Sequence, residues 1–339
     1  MTRDDIGSNV RAMIEPAVDA LLLLSFGGPE APDDVMPFLE NVTRGRGIPR
    51  ERLLAVAEHY VALGGRSPIN DLNRGLRERL AQAISLPVYW GNRNWHPMLE
   101  DTLRQMQVDG VTHALVFATS AFGSYSGCRQ YGEDLIRASE AVAGGPKLTK
   151  LRTFPDHPLL IDAWVESITK ARETLGEARL IFTAHSIPVS MASTGPYEGQ
   201  LRASAAITAE RCNFDRFELA YQSRSGPPSV PWLEPDVGDL VQQLASEGVK
   251  QVIVAPLGFL QDHVEVVWDL DHELQERCDS LGVTLARAKT PGEDPRLVEL
   301  ACELVRERIE RAPRRSLLGT PTPDVCAADC CPAPRRPAR

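Results

Sequence analysis

A histidine ends the hydrophobic run Leu180-Ile-Phe-Thr-Ala-His185-Ser186-Ile187-Pro188. An imidazole at the carboxyl end of a buried strand is held by the sheet yet open to a cleft, and it exchanges protons near neutrality. A hydrogen-bonded strand cap is the structural alternative. A second group, Gln261-Asp262-His263-Val264-Glu265-Val266-Val267-Trp268-Asp269-Leu270-Asp271-His272-Glu273, directly follows the aliphatic segment 251–256 and accompanies a helix start. Glu265, Asp269 and Glu273 are four apart and share a helical face. Runs of this kind are usually solvated acidic faces, but Val264, Val267, Trp268 and Leu270 require part of this one to pack. Carboxylates and imidazoles leading inward suit the passage of protons or of a hard-to-borderline cation such as Fe²⁺.

Three further groups carry weaker signals. Arg44, Arg46, Arg50 and Arg52 form a local basic patch whose guanidinium forks match carboxylates. An anionic small ligand fits it, and so does an ordinary helix flank. Gly64-Gly65-Arg66-Ser67-Pro68 and Ser124-Tyr125-Ser126 are polar turns able to donate hydrogen bonds to such a ligand. Seven cysteines are present, and Cys326, Cys330 and Cys331 crowd into the end of the chain. In a reducing compartment such crowding favours a metal or iron–sulfur site over a structural disulfide, with zinc and free thiols as alternatives.

The elements that must hold these residues follow from periodicity. Short aliphatic segments at 19–25, 86–91, 112–118, 147–152, 179–183, 217–222, 251–256 and 283–287 read as strands. Amphipathic stretches at 50–63, 69–84, 98–108, 157–175, 196–212, 236–247 and 294–310 read as helices. Alternation of this sort predicts an α/β protein with parallel sheets covered on both faces. Residues 110–122 align without gaps on 248–260, and Leu21–Glu30 has the shape of Leu180–Val189, so two duplicated lobes with a cleft between them are expected. The expected divisions are an N-terminal extension at 1–18, lobes at 19–150 and 151–310, and a Cys-, Pro- and Arg-rich tail at 311–339. The last helix is free to pack back on the first lobe. The tail cannot make a core of its own, so thiol chemistry is its expected anchor.

Composition removes several classes of function. With 37 basic against 46 acidic residues the chain carries a formal charge of −9, which argues against a nucleic-acid partner. No apolar run approaches the roughly 20 residues of a membrane helix, and the first residues lack a secretory pattern, so a cytoplasmic protein is expected. P-loop, Gly-x-Gly-x-x-Gly and His-Glu-x-x-His motifs are missing, and Pro29 stands where a phosphate-binding turn needs free N–H groups.

Taken in order, Ser25-Phe-Gly-Gly-Pro29, Gly64-Gly-Arg-Ser-Pro68, Phe182-Thr-Ala-His-Ser-Ile-Pro188, Tyr221-Gln-Ser-Arg-Ser-Gly226 with Pro231-Trp-Leu-Glu-Pro235, and Asp262-His-Val-Glu265 resemble the ferrochelatase family. The resemblance runs from about residue 19 to 310. It implies two Rossmann-like lobes and insertion of Fe²⁺ into a porphyrin held between them. Carried over, His185 and Glu265 are the catalytic and iron-site pair, with Asp262, His263 and Asp269 as a proton or metal path. Phe26, Arg44, Arg46, Ser67 and Tyr125 are the implied substrate contacts. Phe26 departs from members with a tyrosine in the first turn, so no phenolate is available there.

The cysteine-rich tail, and the lack of any recognisable apolar docking lip, resemble the actinobacterial branch. That branch implies coproporphyrin III as substrate and, in some members, a [2Fe–2S] cluster. Three ligands would be Cys326, Cys330 and Cys331, and Cys128 is the expected fourth. Cys212, Cys278 and Cys302 fall in helical patterns and read as core residues. The readings left open are a protoporphyrin IX enzyme, a chelatase for another tetrapyrrole, and a non-enzymatic carrier of haem or an anion. Transient contact with other haem-pathway enzymes is a further expectation.

Overall fold

The computed structural model describes residues 17–226 and 229–333. The expected extension at 1–18 lies almost wholly outside the described residues, as does the end of the tail, 334–339. The first half runs β1 (Ala20–Ser25), α1 (Val35–Val42), α2 (Arg50–Ala62), α3 (Ile69–Ala83), β2 (Val88–Asn92), α4 (Leu99–Val108), β3 (His113–Ala118), a π-helical stretch Tyr125–Arg129, α5 (Gln130–Ala141) and β4 (Lys147–Lys150). The second half runs α6 (Pro158–Leu175), β5 (Arg179–His185), α7 (Val189–Ala192), α8 (Tyr197–Arg211), β6 (Phe217–Gln222), α9 (Val237–Ser246), β7 (Gln251–Ala255), α10 (Val264–Val266), a π-helical stretch Val267–Glu273, α11 (Leu274–Leu281), β8 (Thr284–Arg287) and α12 (Pro295–Ile309).

The strands form two parallel four-stranded sheets with the orders β2-β1-β3-β4 and β6-β5-β7-β8. These are the same order written twice. The register repeats as well: Leu21 faces Leu115 in the first sheet, and Leu180 faces Ile253 in the second. Those four positions are the ones the two gap-free sequence alignments equate, as a duplicated lobe requires. All six residues of β1 are buried, as a strand covered on both faces must be.

The halves share apolar packing. A single cluster joins Leu21 and Leu115 to Trp164 of α6, Leu300 and Leu304 of α12, and Leu180 and Phe182 of β5. Trp164 is fully buried, and its truncation to alanine would cost roughly 3–5 kcal/mol. α12 touches both α6 and α3, and Arg79 of α3 donates to the Gly292 carbonyl just before it. Asp294 starts α12 by accepting from the amide of Arg296, with Pro295 in the first helical position.

The helices α1 and α5 were not among the expected elements. Both carry a regular apolar face, with Val35, Phe38 and Leu39 buried in α1 and Tyr131, Leu135 and Ala138 buried in α5, so the signal was present and was passed over. The tail corrects another expectation, because polar contacts anchor it. Asp156 accepts from the hydroxyl of Ser316 and the amide of Leu318, Thr322 donates to the Thr153 carbonyl, and Asp324 pairs with Arg308 and Arg314. Composition had hidden these anchors, since each rests on a single hydroxyl or carboxylate in a sequence that looks structureless.

Candidate active site at the carboxyl edge of the second sheet

β5 is pinned where it ends. The amide of Ser186 donates to the Gln222 carbonyl, the Ser186 hydroxyl donates to the Leu233 carbonyl, and the Tyr197 hydroxyl donates to the carbonyl of His185. The imidazole of His185 is therefore presented by a fixed backbone. Its Nδ1 lies 2.6 Å from the Ser186 carbonyl, an acceptor, so Nδ1 carries the proton and Nε2 is the nitrogen that titrates. Nε2 stands 3.5 Å from Oε2 of Glu265, which α10 delivers from beyond β7. The two side chains are 32% and 46% exposed, so the pair is open to an incoming ligand.

Electrostatics splits the carboxylates into two kinds. Burial alone pushes Glu265 up, but the hydrogen bond and charge of His185, with His263 and His59, bring its carboxyl down to about 2. Burial likewise disfavours the charged form of His185, yet the hydrogen bond and charge of Glu265, the Ser186 carbonyl and Asp269 raise it above the ordinary imidazole value. Each member of the pair thus favours the charged form of the other. Asp269 behaves in the opposite way: burial, reinforced by the charges of Glu265 and Glu273, raises it to about 7, although Ser223 and Gln222 donate to it. Gln222 also accepts from Thr183, which ties Asp269 back to β5. Burial lowers His263, whose ring lies 5.1 Å from Phe259.

Asp262 sits apart from this line. Both its oxygens accept from Arg287, Thr290 donates to it, and Arg287 also grips Asp271. That arrangement braces the start of α10 rather than leaving a free carboxylate.

On the other lobe, Phe26 follows β1 and is 36% exposed, with its ring edge toward Phe38 and Arg93 5.8 Å away. Arg44 and Arg46 lie exposed between α1 and α2, with no ion pair among the described residues. Tyr125, at the start of the first π stretch, donates to Glu133. Ser67 is 3% exposed because it packs beneath Gly28, where any Cβ would meet it at 2.7 Å, so a ligand has little of it to touch. Apolar surface is also present near the arginines, at Ile48, Leu54 and Val61, which sequence alone had not marked as a lip.

The thiols converge. Lys150 Nζ is 3.3 Å from Cys128 Sγ, Cys330 and Cys331 have their sulfurs 3.6 Å apart, and the charge of Cys128 acts on both Cys326 and Cys331. Arg129 holds the tail here through the carbonyls of Ala328 and Cys330. Burial pushes Cys331 up to about 12. Among the described residues no three His, Cys, Asp or Glu groups stand in metal-ligating geometry. Cys212 and Cys278 are buried, and Cys302 is partly so.

Sequence reasoning missed the partners that fix this site. Gln222 and Ser223 stood inside one of the quoted motifs but were given no role, and Tyr197, on α8, was not singled out. His59 falls in the stretch 50–63, which by sequence is only an amphipathic helix, yet its ring stacks on Trp268 at 4.4 Å.

Two parallel sheets of identical order, with an imidazole–carboxylate pair at the carboxyl edge of one, define a chelatase-type architecture. The ferrochelatase family model matches residues 18–309. A coproporphyrin III ferrochelatase of Nocardia farcinica is 54% identical, covering 95% of this chain and 99% of its own. A protein of the same description from Mycolicibacterium smegmatis is 52% identical over 93% and 98%. A ferrochelatase of Rhodopirellula baltica is 49% identical over 95% and 96%. The sirohydrochlorin chelatase SirB of Bacillus subtilis, solved with cobalt, shares the fold at a TM-score of 0.55 with 13% identity, covering 87% of this chain and 96% of that one. The chain belongs to the ferrochelatase family.

Proposed function

We propose that this protein inserts Fe²⁺ into coproporphyrin III to give coprohaem, a step of haem synthesis. The observation that carries the reading is the pair of His185 and Glu265, 3.5 Å apart at the edge of the second sheet, in a chain of this family. The choice of porphyrin is supported by what the actinobacterial relatives are called.

Metal insertion removes two pyrrole protons while a dication enters. The hydrogen bond and charge of Glu265 favour the protonated form of His185. A substrate Fe²⁺ ion approaching Glu265 opposes that proton, because like charges a few ångströms apart disfavour each other. His185 Nε2 is then released to accept a proton from the ring. Asp269, raised to about 7, can take up and hand on protons near neutrality, which Glu265 at about 2 cannot. In this reading His263 lines the path and Asp262 braces it. Phe26 and Tyr125 contact the macrocycle, and Arg44 and Arg46 meet its propionates. Ser67 supports the Gly28 turn.

The reading takes the lobes as 19–150 and 151–310, with the tail as an added element, and places the enzyme in the cytoplasm, in transient contact with other haem-pathway enzymes. Among the described residues no helix is long and apolar enough to cross a membrane. The thiols of Cys128, Cys326, Cys330 and Cys331 fit a [2Fe–2S] cluster in kind and number, since such a cluster takes four thiolates. Their convergence beside the Lys150 ammonium supports this. Such a cluster would supply a redox-sensitive crosslink from tail to body.

The test is anaerobic metalation of coproporphyrin III against protoporphyrin IX, with Fe²⁺ and with Co²⁺. Preference for coproporphyrin III and Fe²⁺ is expected, and turnover of neither porphyrin would overturn the reading. Acid-labile sulfide should be present in the wild type and lost in Cys128→Ser, while protease sensitivity after Arg311 changes little because the polar anchors remain.

A further inference from the structure

α2 is flanked by glycines at both ends. It is connected through Gly45 and Gly47 on one side and Gly64 and Gly65 on the other, all at positive φ, a conformation in which glycine is the least strained residue. This helix reaches across to the segment that carries Glu265. Val264 packs among Phe38, Leu53, Ala57 and Tyr60, and His59 lies flat on Trp268, with ring centroids 4.4 Å apart and planes 10° from parallel. His272 also stacks against Trp268, with centroids 5.4 Å apart, and the indole N–H donates to Glu273. Trp268 is therefore held by two rings and along its edge. The next residue along the π stretch, Asp269, is held by Ser223 and Gln222. A π stretch is wider and less favourable than an α-helix and persists where contacts maintain it.

We propose that His59 and Trp268 are positioning residues for metal insertion: their stacked rings clasp α2 of the first lobe to the π stretch of the second, and the clasp fixes Glu265 and Asp269 against His185. The proposal deepens the ferrochelatase reading and rests on it. Neither ring need touch iron or porphyrin. The clasp joins two lobes that must admit a flat macrocycle and then hold it. Because each ring belongs to a different lobe, losing either one has the same consequence as losing both.

The experiment is a double-mutant cycle on the full-length protein. It follows kcat and KM for Fe²⁺ insertion into the porphyrin in wild type, His59→Ala, Trp268→Ala and the double variant, with thermal unfolding of each. A stacked ring pair shifts an equilibrium by about 2- to 12-fold, so each single variant should lose kcat in that range with KM for the porphyrin little changed. The double variant should lose no more than the worse single one. His59→Phe, which keeps a flat ring without the imidazole nitrogens, should recover most of the turnover. Unchanged single variants, additive losses, or a His59→Phe variant no better than His59→Ala would each overturn the proposal. If Trp268→Ala does not fold, the comparison of His59→Ala with His59→Phe decides by itself. A wild type that inserts no metal would sink the function reading instead, which separates the two failures.

Discussion

β1 and β5 hold the same place in two sheets of the same order and register, but the matching position after each buried run is Phe26 in one lobe and His185 in the other. The difference extends to the next element. The third strand of each sheet leads into a π-helical stretch. In the first lobe this region carries Tyr125, Cys128 and Arg129, which meet Glu133, Lys150 and the tail. In the second it carries Asp269, just after His263 and Glu265. Duplication thus supplied two equivalent platforms, and the titratable chemistry was placed on one of them. The other offers rings, free arginines and a docking place for thiols. In the proposed reading this is a division of labour, in which one wall binds a flat substrate and the other exchanges protons with it.

The comparison can be broken most directly at His185. His185→Ala should cut metal insertion by about a hundredfold or more, the usual range for loss of a positioned general base, while circular dichroism stays at the wild-type level. The swap Phe26→His with His185→Ala should stay inactive, because the first lobe places no carboxylate partner there. Recovery of turnover would mean the two walls are interchangeable.

A smaller effect is expected at Asp269, and its sign follows from the direction of the shift. Its folded pKa is raised from 3.8 to about 7, so it stabilises the fold below 3.8 and that contribution is lost as pH rises to about 7. Glu265 has the reverse sign: lowered from 4.5 to about 2, it contributes stability above 4.5 that is lost as pH falls through about 2. Asp269→Asn should therefore flatten the stability profile between pH 3.8 and about 7. It should also remove the part of any fall in turnover near pH 7 that belongs to Asp269, leaving a reduced rate whose remaining pH dependence is that of His185. A profile identical to wild type would remove Asp269 from the proton path.

The smallest effect is at the binding wall. Phe26→Leu should raise KM for the porphyrin by a few-fold, in keeping with about 0.5–1.5 kcal/mol for an aromatic contact, and leave kcat near its original value. A fall in kcat with KM unchanged would put Phe26 on the chemical side of the division.

Much of this was legible in the sequence for a specific reason. Buried parallel strands are continuous aliphatic runs, so the eight strands were found where they lie, and the repeat of 110–122 in 248–260 anticipated the shared register. His185 drew attention because it ends such a run, and Glu265 because it lies in the acidic segment that comes after another. The brace on Asp262 was not legible, because its partner, Arg287, lies on β8 and nothing in the local spacing announces it. The tail was misread since hydrogen bonds from Ser316, Thr322 and Asp324 have no compositional signature. The clasp of His59 on Trp268 stayed hidden for the same reason, as 209 positions separate two rings that meet only when both lobes are folded.

The account stands or falls on whether chemistry at the second wall can be separated from binding at the first. Glu265→Gln keeps the shape of the side chain and removes the charge that raises His185. Coproporphyrin III binding, followed by fluorescence quenching, and Fe²⁺ insertion should be measured on the same preparation. Binding close to wild type with most turnover lost is the predicted result. Loss of both together would contradict the division of labour, and full turnover would remove Glu265 from the reaction.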